Sequence, residues 1–143
     1  MADTSEPIDD HFVAAVSALS GAVGTDPGTT GSALTTRDCL ALFDAQLGSR
    51  HLDLAARWLR SQGTGFYTIG SAGHEGNAAV AAALRVTDPA LLHYRSGGFF
   101  LARAAQTAGS DPLRDVLLGL VAATEEPISG GRHKVFGLSL IHI

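Results

Sequence analysis

The 143-residue chain holds a single cysteine, Cys39, so it cannot close an internal disulfide and suits a reducing compartment. Charge is scarce: Asp, Glu, Lys and Arg make up 17% of residues, the net charge is −4 and the pI is near 5.8. Without a basic surplus there is no electrostatic footprint for nucleic acid or an anionic membrane. No apolar run approaches the roughly 20 residues that span a bilayer. The opening MADTSEPIDD is acidic and lacks the basic-then-apolar order of a signal peptide. Metal-ligand spacing is missing too, with no HxxxH, no paired cysteines and no Asp-rich calcium loop. No internal repeat occurs. These absences predict a soluble, cytoplasmic chain with no nucleic-acid or membrane partner.

What is present is apolar: 45% of residues are hydrophobic, enough for one packed core in a chain of this length. Residues 1–33 read as a flexible leader with at most a brief helix in HFVAAVSALSGAV, because GTDPGTTGS buries too little to offset its ordering entropy. The folded part begins at Thr35, where Thr35 and Asp38 stand as a capping box with Asp in place of Glu. Leu40, Phe43, Leu47, Leu54 and Trp58 follow at helical spacing and predict one face of a long amphipathic helix, with Asp53 and Arg57 paired on its wet side. GFYTIG, 65–70, reads as a short extended segment. HEGNAAVAAALR, 74–85, reads as an alanine-rich helix pressed against neighbouring backbone, with Glu75 in its first turn. After the Thr87-Asp88-Pro89 turn, ALLHY is the best strand candidate, although nothing in the chain offers it a partner. Ser96 is placed to cap a helix from Gly97 to about Ala108, and Asp111 to cap another with Pro112 at its first position. There Leu113, Val116, Leu117, Leu120 and Val121 form a buried stripe.

Three stretches could carry chemistry. In LLHYRSGGFF the chain runs into Tyr94 and Arg95, then Ser96, Gly97 and Gly98 open a helix. Free amides at a helix start, an arginine fork and a phenol together suit a phosphate, and glycine admits close approach. The same residues also suit a surface ion pair and a tight helix crossing. Gly130-Gly131-Arg132-His133-Lys134 places cations on a glycine hinge, as a lid over an anion or as an ordinary solvated loop. Ser71-Ala72-Gly73-His74-Glu75-Gly76 puts a His-Glu pair at a helix start, suited to acid–base work or simply to helix stability.

In order and spacing, GFYTIGSAGHEGNAAVAAALRVTDPALLHYRSGGFFLAR, then DPLRDVLLGL and SGGRHKVFG, resemble the α component of the thiamine-diphosphate-dependent 2-oxo acid dehydrogenases, the E1 component of the pyruvate and branched-chain complexes. The resemblance spans about residues 36–137, and the SAGHEGN stretch is nearer the branched-chain type. It implies an α/β fold: the helix-rich N-terminal part of a thiamine-diphosphate-binding domain, here 34–137, mostly helices with one or two short strands. It implies that Tyr94 and Arg95, with Ser96 and Gly97, contact the cofactor's diphosphate. It further implies that Gly130 to His133 begin the loop over the active site, with His133 as the catalytic candidate beside the lipoyl acceptor. The partners would be a β subunit or β half and a lipoyl-bearing E2 component, in an oligomer.

Two features depart from that pattern. Ser96 and two glycines stand where pyruvate-type members often carry Ala-His-Gly, and the Gly-Asp-Gly stretch that binds magnesium is missing, so the magnesium ligands are not in this chain. The last six residues, LSLIHI, read as the translation of a transposon-end sequencing adapter, hence a non-native tail at 138–143, or else as a short terminal strand. A transketolase-like enzyme and a non-catalytic helical interaction module remain as alternatives.

Overall fold

The computed structural model describes residues 7–18, 33–66 and 70–132, and within them the chain forms five helices and no strand. They are α1 (Pro7–Ala18), α2 (Thr36–Ser61), α3 (Asn77–Ala83), α4 (Gly97–Ala104) and α5 (Pro112–Leu120). None is long and apolar enough to cross a membrane. Every described side chain of α1 is exposed, so the packed body consists of the other four.

Two of the three predicted side-chain caps form, those at Thr35 and Asp111. The Thr35 hydroxyl accepts from the Asp38 amide at 3.2 Å, and Asp38 Oδ2 accepts from the Thr35 amide at 2.8 Å, which fixes the start of α2. Asp111 accepts from the Arg114 amide at 3.2 Å and Pro112 occupies the first turn of α5.

The centre of the body is α4. All eight of its residues, Gly97 to Ala104, are buried, and α2, α3 and α5 pack around it. A helix apolar all round except for Arg103 belongs inside, and the elements around it must present small residues to come close. They do. Ala78 and Ala81 of α3 are completely buried, as the alanine-rich stretch implies, and Ala45, Ser49 and Ala56 of α2 face inward. Val116 and Leu120 of α5 close the far side, with Leu117 packed beside them.

The buried side of α2 differs from the expected one. Leu40, Phe43, Leu47 and Trp58 are 37–58% exposed, while Ala45, Ser49, Leu52, Asp53 and Ala56 line the core. Close approach to α4 selects that side: a Cβ on Gly48 would already lie 2.9 Å from Leu101 Cδ1. Large apolar residues along that line would hold the two helices apart.

Other boundaries shift as well. The ALLHY segment and the described part of GFYTIG are not strands, because no strand among the described residues offers them a ladder; residues 67–69 lie outside the described residues. Helix α3 starts at Asn77 rather than 74. His74 N donates to Ser71 O at 2.7 Å, and Glu75 accepts the Gly73 amide at 2.7 Å, so Glu75 closes a turn ahead of the helix. Helix α4 stops at Ala104 rather than about 108, where the Thr107 amide and the Ser110 hydroxyl both take the Ala104 carbonyl. Leu113, expected in the buried stripe of α5, is 45% exposed.

The two sides of α2 can be told apart by substitution. Leu52→Ala should cost about 2–5 kcal/mol, whereas Leu40→Gln and Phe43→Gln should each stay within about 0.5 kcal/mol. Urea denaturation followed by circular dichroism measures both, and equal losses would mean that the large apolar side faces inward.

Candidate functional site

Asp53 stands on the inner face of α2 and is 5% exposed. Its two carboxylate oxygens accept from the Ser71 amide at 2.9 and 2.8 Å, and the Ser71 hydroxyl lies 3.3 and 3.4 Å from the same oxygens. One turn back along α2, the hydroxyls of Ser49 and Ser71 share a hydrogen bond of 2.5 Å. The expected pairing of Asp53 with Arg57 on the wet side is therefore overturned: this carboxylate points inward and binds backbone. Burial pushes its pKa above the ordinary 3.8, against the pull of the Ser71 donors and of Arg50, whose Nη1 lies 4.0 Å away; the Glu75 charge adds to the rise.

The residue before Ser71 completes the arrangement. A Cβ on Gly70 would come within 2.5 Å of Asp53 Oδ2, so glycine is needed for the carboxylate to reach the next amide. The Gly70 carbonyl then accepts from Arg95 Nη1 at 2.9 Å. The Arg95 guanidinium also lies 5.1 Å from the Tyr94 ring centroid. Its Nε and Nη2 make no hydrogen bond among the described residues. The Arg95 amide donates to His93 Nδ1 at 3.0 Å, and the His93 ring meets those of His74 and Tyr94 edge-on, with centroids 6.0 and 5.6 Å away.

Ser96 is buried but does not cap α4 through its side chain. Its hydroxyl instead accepts from the His93 amide at 3.3 Å, while its own amide donates to the His93 carbonyl at 2.9 Å. The turn is thus closed on itself, leaving the helix start to its backbone. The first i to i−4 bond of α4 runs from Phe100 to Ser96 at 2.9 Å, so the amides of Gly97, Gly98 and Phe99 have no acceptor within the helix. The Cβ side of both glycines is filled by protein: Ser49 Oγ would lie 2.5 Å from a Cβ on Gly97, and the Glu75 carbonyl 2.7 Å from one on Gly98. Of the two roles open to these glycines, the tight helix crossing is therefore realised here.

The structure brings Tyr94, Arg95, Ser96 and Gly97 together at one turn, beside Gly70 and Ser71. His133 and Lys134 lie outside the described residues. The described part of the glycine-rich loop winds around a carboxylate of this chain. Glu126, 5% exposed, accepts from the amides of Ile128 and Ser129 at 2.8 and 2.6 Å, from the Ser129 hydroxyl at 2.6 Å and from the Gly131 amide at 3.5 Å. Burial works against its charge, but the donors from Ser129, Ile128 and Gly131 together hold its pKa below the ordinary carboxylate value. Gly130 and Gly131 take positive φ, 60° and 73°, which closes the loop on that acceptor.

Sequence reasoning missed Asp53 as an anchor, Ser49, Glu126 and Arg103. Ser49, Asp53 and Arg103 lie on helix faces that close packing rather than the apolar period turns inward, and Glu126 lies in the loop after α5, where helical phase gives no signal. A cavity of about 610 Å³ lies against the turn that Asp53 anchors, between α1, α2 and residues 72–75, with Phe43, Leu47, Arg50 and Glu75 among its walls. Tyr94, Arg95, Ser96 and Gly97 do not line it. No group of three or more His, Cys, Asp or Glu side chains among the described residues could hold a metal ion. The chain matches no protein-family model, no curated protein and no solved structure.

Two substitutions test this geometry. Gly97→Ala should destabilise the fold by about 1–3 kcal/mol through the Ser49 clash, and adding Ser49→Ala should restore part of the loss; an unshifted urea midpoint for the single variant would mean the crossing is loose. Asp53→Asn keeps an acceptor for the Ser71 amide and removes the charge. Between the unfolded value of 3.8 and the higher folded one, native Asp53 holds its proton while the unfolded chain has lost it. In that window its contribution to stability grows as pH falls and shrinks as pH rises. The stability difference between wild type and Asp53→Asn should therefore move in favour of wild type between about pH 7 and about pH 4. A constant difference would mean that burial does not govern this carboxyl.

Proposed function

We propose that residues 34–137 form the opening part of the cofactor-binding domain in the α component of a thiamine-diphosphate-dependent 2-oxo acid dehydrogenase. The substrate would be a 2-oxo acid, of branched-chain type by the SAGHEGN stretch, and the acyl group would pass to a lipoyl arm on E2. The observation that carries this reading is the Tyr94-Arg95 turn running directly into a helix that opens on two glycines.

The residues fit one anionic end of the cofactor. Arg95 is anchored through Nη1 and keeps Nε and Nη2 for an anion. The amides that begin α4 are donors without acceptors within the helix. Tyr94 adds a phenol beside the guanidinium. The described residues do not fit magnesium, since they hold no cluster of ligands; its ligands are assigned to other parts of the enzyme. When bound, thiamine diphosphate supplies the carbanion chemistry. This chain's part is to hold the diphosphate, with Ser96 and Gly97 shaping the turn and His133 placed near the lipoyl acceptor.

The test is made in the complete enzyme carrying this sequence together with its β component. Arg95→Ala should weaken thiamine diphosphate binding by several-fold to about a hundredfold, because a charged hydrogen bond contributes ~1.5–3 kcal/mol. Isothermal titration gives the affinity, and an unchanged value would remove the assignment. A second reading, a helical module that binds a partner protein, is favoured by the exposed Leu40, Phe43, Leu47 and Trp58 along α2. Reading the source gene onward separates the two, since a Gly-Asp-Gly codon run downstream supports the enzyme and a stop codon supports the module.

A further inference from the structure

A single peptide unit is gripped from both sides. The Ser71 amide donates to the Asp53 carboxylate oxygens at 2.9 and 2.8 Å, and the Gly70 carbonyl accepts from Arg95 Nη1 at 2.9 Å. That amide and that carbonyl belong to the same planar group, which is trans, so they point in opposite directions. The carboxylate therefore stands at one edge of the peptide and the guanidinium at the other. Asp53 is 5% exposed, and Arg50 Nη1 approaches it only to 4.0 Å. Arg95 makes no ion pair among the described residues. Each charge thus has the Gly70–Ser71 dipole as its close partner. An anion on the N–H and a cation on the C=O polarise a peptide in the same sense, so the two bonds strengthen each other, most of all where water is kept out.

We propose that Asp53 is a positioning residue for Arg95, its negative charge acting through the Gly70–Ser71 peptide to pin the guanidinium by Nη1 and leave Nε and Nη2 for an anion. Asp53 touches no ligand itself. The identity of that anion rests on the diphosphate reading, whereas the link between the two side chains lies within this chain. A neutral acceptor would hold the Ser71 amide without the desolvation cost of a buried charge. What the charge adds is a stronger bond at the amide and, across the peptide, a stronger acceptor for Arg95. The turn's other buried side-chain bond, between the Ser49 and Ser71 hydroxyls at 2.5 Å, carries no charge and supplies the control.

The experiment uses the full chain at neutral pH without ligand, the Arg95 Nε–H resonance being identified by its loss in Arg95→Lys. Its order parameter should be that of a fixed group in wild type. In Asp53→Asn, which keeps an acceptor for the Ser71 amide, it should fall to that of a mobile side chain. Ser49→Ala removes the uncharged bond and should leave it unchanged. In wild type alone, a scalar coupling across the hydrogen bond should join Arg95 Nη1 to the Gly70 carbonyl carbon. An Arg95 equally fixed in Asp53→Asn, equal loosening by Ser49→Ala, or a missing coupling would each overturn the proposal. In the complete enzyme, Asp53→Asn should raise the KM for thiamine diphosphate about two- to fivefold with kcat unchanged at saturation. In an Arg95→Ala background it should add nothing, and a loss that persists there would also overturn the link. If Arg95→Ala leaves cofactor affinity unchanged, the cofactor reading falls, while the order of Arg95 in the ligand-free chain still decides its dependence on Asp53.

Discussion

The bond between the Asp53 carboxylate and the Ser71 amide joins two distant stretches of sequence into one surface. It fixes the 70–76 turn against α2, and everything placed by that turn follows from it. Gly70 lets the carboxylate approach, and the Gly70 carbonyl then holds the Arg95 guanidinium. Ser49 shares its hydroxyl with Ser71 and sets the distance at which Gly97 can pass. Burial raises the pKa of the acid that begins this chain of contacts. The arrangement therefore places a proton-sensitive group at the root of the Tyr94–Gly97 turn.

The same logic of close approach governs the body around α4. Because that helix is buried on every side, α2 and α3 contribute Ala, Ser and Gly at the crossings, and Leu40, Phe43, Leu47 and Trp58 of α2 turn outward. Arg103 is the exception inside α4. Its Nη1 collects the carbonyls of Arg85, Val86 and Asp88, so it substitutes for the ladder that the following segment lacks.

How much of this could be read from the residues depended on whether the cause was local. Caps are local, and Thr35 with Asp38 and Asp111 with Pro112 stand where their spacing put them. The helical content was legible for the same reason. The inward face of α2 was not, because periodicity finds the largest apolar stripe, whereas the packed side is chosen by the distance to α4. ALLHY has a strand-like composition, but strandness requires a partner, and composition contains none. Asp53 looked like half of an i,i+4 surface pair; only the fold reveals that a backbone amide eighteen residues away lies closer to its purpose. For the Tyr94-Arg95-Ser96 turn, proximity was legible, while the use of Ser96 as a brace for His93 was not.

The outward stripe of α2 has an optical consequence. It carries the chain's single tryptophan, Trp58, at 44% exposure. Intrinsic indole emission therefore reports on the water at the rim of α2, and an acrylamide quencher can reach it while α4 stays sealed. Its wavelength follows whatever comes to rest against that rim more closely than it follows the packing of the interior.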